Sequence, residues 1–268
     1  ATGIALGGFI AQRYGWRHAF GLVALPGLIV SFLFFFVKDY KTVKISSDSI
    51  HSGAFWKSGL LLLRTPTLAL TYLGFAANTF VTTSLIIWLP TYFHRIENLP
   101  MDKAGPKGGA VMLLAIIGAP LGGFLADRWL KSNPAARPLF AGFSSILTGI
   151  IFAIAFLFLK GNIQYIFILL GGLCAVSYVP AAAAITQDVV HPGVRAISYS
   201  LCVVVQNLLG SSTGPIFIGA VSDGWGILAS LSLLPIFSIL SGILFLFAAR
   251  HYVKDLAAVE KVDLLSEA

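Results

Sequence analysis

Charged side chains are scarce in this chain. Of its 268 residues 11% are Asp, Glu, Lys or Arg, whereas 57% are hydrophobic. A soluble globular domain carries about 25% charged residues, because its surface has to be hydrated. So small a share of charge excludes a soluble globular protein and predicts an integral membrane protein.

Cysteine is almost absent as well. The chain has 2 cysteines, Cys174 and Cys202, and both fall inside long apolar runs. They lack the spacing of a zinc site or a redox pair, so we interpret them as small packing residues. We therefore expect neither a metal site nor a cofactor.

The charges are separated by apolar runs of about 20 residues or more, long enough to cross a bilayer. A segment inside the membrane must satisfy its own backbone hydrogen bonds, and runs such as FAIAFLFL lack the polar–apolar alternation of a membrane strand. We therefore predict an all-α integral membrane protein with about seven and a half transmembrane helices. The half helix is 1–12, and the predicted spans are 18–37, 66–93, 105–126, 138–159, 164–187, 195–222 and 227–249.

The net charge of +7 is divided unevenly between the loops on the two sides of these spans. Twelve lysines and arginines fall on one side and six on the other. An excess of Lys and Arg marks the cytoplasmic side of a membrane protein, and orienting the helices is the simplest role for most of them. We expect a multi-pass protein of the inner (plasma) membrane with a cytoplasmic C-terminus, in contact with lipid and not with nucleic acid.

A short pattern occurs near both ends of the chain. GWRHAFGLVALP begins at Gly15 and GWGILASLSLLP begins at Gly224, and each follows a pair of glycines four residues apart. Such glycine pairs let two helices approach closely. A chance match in an apolar sequence is one explanation; the other is a repeated helix–turn–helix unit, as in transporters built from repeats. We assign helix packing to Gly3, Gly7, Gly210, Gly214 and Pro215.

The stretch GGFLADRWLKSNPAARP, from Gly122 to Pro138, resembles the signature loop of the major facilitator superfamily, Gly-x-Leu-Ala-Asp-Arg-x-Gly-Arg-Lys. Leu130 stands where the family often has glycine. Other stretches, such as QRYGWRHAF, WLPTYF and NLLGSSTGPIFIGAVSD, look most like bacterial spinster-like carriers, with organic-anion symporters close behind. The matching residues of the loop are Gly123, Leu125, Ala126, Asp127, Arg128 and Lys131.

The resemblance implies a major-facilitator-type helix bundle and a register for it. The half helix becomes helix five of the family, the spans become helices six to twelve, and the first four helices are expected upstream as partners. The expected domains are the end of the N-terminal bundle, a cytoplasmic linker, a C-terminal six-helix bundle and a cytoplasmic tail. Their bounds are 1–37, 38–65, 66–250 and 251–268.

Helix seven of this register carries a stripe of polar side chains within roughly 140° of arc, at 100° per residue. Polar side chains in the membrane face protein or water, and the resemblance implies that helices seven and ten line a central cavity. Hydrogen bonding between helices without substrate contact is the alternative, for this stripe and for Gln206. The predicted cavity residues are Tyr72, Asn78, Thr79, Thr82, Thr83, Tyr178 and Gln206.

Charged residues gather at the predicted cytoplasmic ends of helices eight, ten and eleven. The resemblance implies that such residues latch the cytoplasmic gate, and we expect Arg128 to pair with Asp188 and Asp127 to face helix five. Charges that only anchor the depth of the helices are the alternative. The predicted gate residues are Gly123, Asp127, Arg128, Lys131, Asp188 and Arg195.

The predicted function is transport of a small organic solute, an organic anion or a sugar-like metabolite, by alternating access. Symport with a proton or sodium ion is expected, but no ionisable residue lies in the middle of a span. Because such residues are the usual proton relays, a relay would have to lie upstream of Ala1. The alternatives are a non-transporting membrane remnant and a receptor-like helical bundle. An enzyme is not expected, because no Gly-x-Ser-x-Gly accompanies a histidine at mid-depth and no span holds paired aspartates.

Overall fold

The structure, a computed structural model, describes residues 15–37 and 62–259. All secondary-structure elements within these ranges are helical, which confirms the all-α prediction for them. The chain divides into two compact units, Ala1–Thr42 and Val43–Ala268. The half helix at 1–12, with Gly3 and Gly7, and most of the expected linker lie outside the described residues.

The first unit contributes one helix to the described structure. Helix α1 is Trp16–Leu33, and a 3₁₀ turn, Phe34–Phe36, continues it. These two elements together match the predicted span 18–37 to within two residues at its start. Pro26 lies inside α1 without ending it.

The second unit holds nine further α-helices between Pro66 and Ala257. A 3₁₀ turn, Pro192–Val194, precedes α7, and a π-helical turn, Asn207–Ser211, joins α7 to α8. The helices are α2 Pro66–Ile96, α3 Met101–Leu130, α4 Ala136–Leu157, α5 Gly161–Cys174, α6 Val179–Asp188, α7 Arg195–Gln206, α8 Thr213–Trp225, α9 Ile227–Leu231 and α10 Leu234–Ala257.

Six helices of the described residues are long and apolar enough to cross a membrane. Three are α2, α3 and α4, and the other three are the continuous stretches Gly161–Asp188, Pro192–Trp225 and Ile227–Ala257. Each of the six spans predicted between 66 and 249 corresponds to one of them. The last span reaches Ala257, so the expected tail begins with helix and not with loop.

Helix α2 is the centre of the second unit. It packs against α3, α6, α7, α8, α9 and α10 and against the π turn. Its apolar side chains enter two hydrophobic clusters, one around Leu85, Leu89 and Phe93 and one around Leu68 and Phe75. The centre of the bundle is therefore the helix that carries the polar stripe.

Two glycines allow α3 to contact the backbone at the end of α5 and in the break between α5 and α6. A Cβ atom placed at Gly118 would lie 2.0 Å from the carbonyl oxygen of Leu173, and one at Gly122 would lie 2.0 Å from that of Ser177. A Cβ at Gly123 would meet only Pro180, at 3.2 Å. The sequence directed attention to Gly123, but the closest contact belongs to its neighbour Gly122.

Glycine also sets the two turns at which the sequence repeat occurs. Gly15, before α1, has φ 84° and ψ 156°, and Gly226, between α8 and α9, has φ 84° and ψ 159°. L-residues with a side chain rarely adopt this positive φ. The turn glycine of the second copy is thus Gly226, whereas Gly224, which the sequence match selected, lies inside α8.

We expect Gly122→Ala to destabilise the protein, because the added methyl group would overlap the Ser177 carbonyl and force α3 away from the α5–α6 break. Overpacking of this kind costs about 1–3 kcal/mol of unfolding free energy. Gly109→Ala in the same helix is the matched control, since nothing lies within 4 Å of its Cβ position and alanine favours the helix. Thermal unfolding of the purified variants measures both; a Gly122→Ala protein as stable as the parent would contradict the close contact.

Candidate functional site

Three of the predicted cavity residues meet near the middle of the bundle, and we call Thr79, Tyr178 and Gln206 the polar site. The Thr79 hydroxyl donates a hydrogen bond to Oε1 of Gln206 at 3.2 Å. The Tyr178 hydroxyl lies beside the side chain of Thr79. The polar site therefore joins α2, the break between α5 and α6, and the end of α7.

Gln206 retains hydrogen-bonding capacity. It is half-buried, and its amide Oε1 accepts from Thr79. Its Nε2 group makes no hydrogen bond within the described residues, although an amide nitrogen carries two donors. The polar site thus presents an amide donor beside two hydroxyl groups, a set suited to binding a polar neutral group or a carboxylate.

The π turn fixes the end of α7 at the polar site. The Ser212 N–H bonds to the Asn207 carbonyl, five residues back, at 3.0 Å. Pro215 has no N–H for the carbonyl four residues earlier, and its ring pushes against that carbonyl, which favours the wider turn. Single π turns are frequent at functional sites. Nε1 of Trp88 donates to the Pro215 carbonyl at 2.9 Å and holds this region to α2.

The packing glycines bring the π turn onto α2. A Cβ at Gly210 would lie 2.6 Å from the Ala76 carbonyl oxygen, and a Cβ at Gly214 would lie 2.7 Å from that of Phe80. Both glycines therefore lie in direct backbone contact with α2. This close approach brings Gln206, just before the π turn, within hydrogen-bonding distance of Thr79.

The next two threonines of the stripe bond to their own helix. The Thr82 hydroxyl donates to the carbonyls of Asn78 and Thr79, both at 3.2 Å, and Thr83 donates to the Thr79 carbonyl at 2.7 Å. Both side chains are half-buried. Their donors are satisfied by backbone, so what they offer to a neighbouring group is an acceptor oxygen.

Asn78 does not line a cavity, and its assignment to one requires correction. The side chain is 1% exposed. Its Nδ2 donates to the Ser145 hydroxyl at 2.7 Å, and its Oδ1 accepts from the Ser238 hydroxyl at 3.4 Å. Asn78 therefore connects α2 to α4 and α10. The polar stripe of α2 covers an arc of roughly 140°, which is wider than one face of the helix, so it includes residues that pack against other helices.

Tyr72 is a second packing residue of the stripe. It is 1% exposed, and its hydroxyl lies 2.7 Å from the Ser198 hydroxyl, which in turn donates to the Thr186 carbonyl at 2.6 Å. Tyr178 is almost as buried, with its ring against Phe75 at a centroid distance of 5.2 Å. Tyr72 is thus withdrawn from the cavity wall, and Tyr178 reaches the polar site with its hydroxyl alone.

At one end of the bundle four side chains form what we call the charged cluster: Asp127, Arg137, Asp188 and Tyr252. Nη1 of Arg137 donates to Oδ2 of Asp188 at 2.5 Å, and Nη2 donates to Oδ1 of Asp127 at 3.3 Å. The Tyr252 hydroxyl also donates to Oδ2 of Asp188, at 2.7 Å. The cluster connects α3, α4, α6 and α10.

The two ion pairs of the charged cluster differ in how far their side chains are exposed to solvent. The side chains of Arg137 and Asp188 are each 22% exposed, whereas that of Asp127 is 67% exposed. Water screens the Asp127 pair more strongly, and exposed pairs contribute about 0–1 kcal/mol. Arg137–Asp188 is therefore the stabilising pair, and Asp127 keeps a carboxylate turned to the surface.

The expected pair of Arg128 with Asp188 is wrong, because Asp188 is held by Arg137. Arg128 is exposed and makes no ion pair within the described residues. Consecutive helix residues point about 100° apart, so α3 cannot aim both Asp127 and Arg128 at the same neighbour. Arg137, in the first turn of α4, crosses back over the loop instead.

The other predicted gate residues have simpler surroundings. Nε of Arg195 donates to the Gln187 carbonyl at 3.1 Å, which closes the connection from α6 to α7. Lys131 is exposed and has no ion pair among the described residues. Sequence reasoning missed Arg137 and Tyr252 as cluster members; the signal for Arg137 was a basic residue at the start of a predicted span.

The opposite end of the bundle has its own charged contact, which the sequence did not reveal. Lys107 of α3 forms an ion pair with Glu97, the residue that follows α2. Its Nζ also lies 4.6 Å from the ring centres of Phe93 and Tyr165, within the range of a cation–π interaction. The contact fixes the ends of α2, α3 and α5 to one another.

No group of three His, Cys, Asp or Glu side chains in the described ranges is placed to hold a metal ion. The chemistry available at the polar site is hydrogen bonding by two hydroxyls and one amide. Reversible binding of a solute needs no more than such groups in a cavity.

Comparison with known proteins gives the family. Residues 1–212 match the family described as Major Facilitator Superfamily. The human protein spinster homolog 1 is 30% identical over 235 residues, and the alignment covers 78% of this chain and 43% of that protein. The corresponding Xenopus laevis protein is 27% identical over 227 residues, with the same two coverages. The chain spans less than half the length of these relatives.

Solved structures show the same fold. A bacterial homologue of the human lysosomal transporter spinster, in an inward-facing and unoccupied conformation, superposes with a TM-score of 0.69 at 18% identity, over 95% of this chain and 66% of that one. Its inward-facing, occupied conformation gives a TM-score of 0.63 at 19% identity, over 94% and 64% of the two chains. With the family match over most of its length, the chain belongs to the major facilitator superfamily, in the spinster-like branch of these multi-pass membrane transporters.

Proposed function

We propose that the protein carries a small organic solute across the membrane by alternating access, with the polar site as part of the binding wall. Membership of a transporter family supports the activity. The solute proposed is an organic anion or a sugar-like metabolite, taken up in symport with a proton or sodium ion. Both classes of solute present the oxygen atoms that an amide N–H and hydroxyl groups bind.

The observation that carries the proposal is the unused amide donor of Gln206 beside Thr79. Both residues lie near the middle of spanning helices, where a polar group without a partner is costly. Thr79 satisfies only the oxygen of the amide. A solute oxygen that accepts from Nε2 would complete the hydrogen bonding of this side chain.

Two interruptions of the helices flank the polar site and support movement around it. Residues 175–178 separate α5 from α6, and the π turn separates α7 from α8. Transporters commonly bind their substrates near the bilayer midplane, where broken helices meet. We propose that these two points bend as the site opens to either side.

We further propose that the charged cluster, with Gly123, Arg128, Lys131 and Arg195 around it, forms the gate at its end of the bundle. The basic residues at this end support a cytoplasmic location for it, and for the C-terminus, in the inner (plasma) membrane. Asp127 and Arg128 are exposed. They are proposed to contact helices of the other bundle when the gate closes.

The proposal for the polar site is tested by uptake into vesicles that contain the purified full-length protein, with labelled organic anions and sugars as candidate solutes. For a transported solute, Gln206→Leu should raise KM about tenfold, the effect of losing one hydrogen bond to a charged or strongly polar group. Thr148→Val in α4 is the matched control, since its hydroxyl donates to the Ser144 carbonyl of its own helix at 2.8 Å and it is not one of the predicted cavity residues. Equal KM values for Gln206→Leu and the parent would remove Gln206 from the binding wall.

Asn78→Leu separates packing from binding on the same stripe. We expect this variant to lose on the order of 2 kcal/mol of unfolding free energy, because the two buried hydrogen bonds that connect α2 to the Ser145 and Ser238 hydroxyls are lost. The KM of the folded fraction should stay near that of the parent. A stable variant with a raised KM would show instead that Asn78 contacts the solute.

The gate proposal predicts that Asp188→Arg slows transport and lowers stability, because it sets two positive groups against each other. Adding Arg137→Asp should restore part of both, but not all, since Tyr252 loses its acceptor. The control pair adds Arg128→Asp to Asp188→Arg and should restore nothing. Rescue by Arg128→Asp and not by Arg137→Asp would contradict the pairing.

A further inference from the structure

A cavity of about 460 Å³ lies at the end of the second unit, apart from the polar site and the charged cluster. It opens between the start of α2, the connection from α6 to α7 and the end of α10. Four polar side chains, Arg64, Thr65, His191 and Asp255, line it together with apolar residues that include Val189 and Val190. The residues of the proposed transport site take no part in it.

Arg64 and His191 supply hydrogen-bond donors to this cavity. Arg64 is exposed and has no hydrogen bond or ion pair within the described part of the chain. Nδ1 of His191 accepts a hydrogen bond from the Gly193 N–H at 3.1 Å. Because Nδ1 acts as an acceptor, the neutral ring carries its proton on Nε2. The Nε2–H group is a second donor beside the Arg64 guanidinium.

Asp255 supplies an acceptor whose position is fixed. Its Oδ2 accepts from the Thr67 N–H at 3.2 Å and from the Thr67 hydroxyl at 2.6 Å, in the first turn of α2. Its Oδ1 has no hydrogen bond to any described residue. The cavity therefore presents a positive side and a negative side within one small space.

The length of α2 supports a position for the cavity at the depth of the lipid headgroups. Helix α2 has 31 residues, which makes it about 46 Å long at 1.5 Å per residue. The hydrocarbon core of a bilayer is about 30 Å thick, and about 40–45 Å with the headgroup regions. The first turn of α2 consequently lies among the headgroups, with the cavity around it.

We propose that this cavity binds the phosphoethanolamine headgroup of a membrane phospholipid. Its phosphate would accept from Arg64 and from Nε2 of His191, and its ammonium would donate to Oδ1 of Asp255. Val189 and Val190 would contact the glycerol and the first methylene groups. A headgroup with negative charge alone would meet the Asp255 carboxylate, and a choline headgroup has no N–H to donate to it. This inference does not depend on the proposed transport function.

The test is thermal unfolding and titration of the purified full-length protein in detergent with short-chain phosphatidylethanolamine. Phosphatidylcholine, phosphatidylglycerol and soluble glycerophosphoethanolamine serve as comparison ligands. We expect phosphatidylethanolamine to bind about tenfold more tightly than either other lipid, the value of one charge-assisted hydrogen bond, and the soluble headgroup to bind more weakly than the lipid. Equal binding of phosphatidylglycerol, or no binding of phosphatidylethanolamine, would overturn the proposal.

Variants of the lining residues test whether phosphatidylethanolamine binds in this cavity. Arg64→Ala should weaken phosphatidylethanolamine binding about tenfold, whereas Lys254→Ala, an exposed basic residue at the same end outside the cavity lining, should leave it unchanged. Asp255→Asn keeps an oxygen for Thr67 and should abolish the preference for ethanolamine over choline. If Arg64→Ala and Lys254→Ala weaken binding equally, the lipid is attracted by surface charge and the cavity is not its site.

Discussion

A peptide group inside the hydrocarbon core of a membrane has no water to bond to, and the helical architecture of the described bundle follows from that constraint. Continuous helices satisfy it within themselves. Where a helix is interrupted, a neighbour has to accept the irregular backbone, as α3 does at Gly118 and Gly122. The break between α5 and α6 is therefore possible only because α3 offers no side chain at these two positions.

The same constraint explains why small residues and hydroxyls, and not charges, hold the interior together. Helices packed in lipid gain little from the hydrophobic effect and depend on close contact and hydrogen bonds. Gly210 and Gly214 supply the contact along α2, while Ser145 and Ser238 supply the bonds to Asn78. The ion pairs found among residues 62–259 lie at the two ends of the bundle, where Arg137 and Lys107 connect neighbouring helices.

Sequence reasoning predicted the helices well and their contacts poorly, for a physical reason. The spans follow from composition, which any window of about 20 residues reports. The partner of a side chain depends instead on the rotation of its helix, and one residue turns the direction by about 100°. For this reason the sequence indicated Arg128, and not Arg137, as the partner of Asp188. For the same reason the whole polar stripe of α2 was assigned to a cavity, although Asn78 and Tyr72 face other helices.

The double hydrogen bond of Thr82 has a consequence for the mechanics of α2. Its hydroxyl has two acceptors at the same distance, the carbonyls of Asn78 and Thr79. If the helix bends at this turn and one acceptor recedes, the other takes the proton after a small rotation about a single bond. The strength of the hydrogen bonding changes little along such a motion, so this turn of α2, one helical turn from Thr79, can bend at little cost in hydrogen bonding.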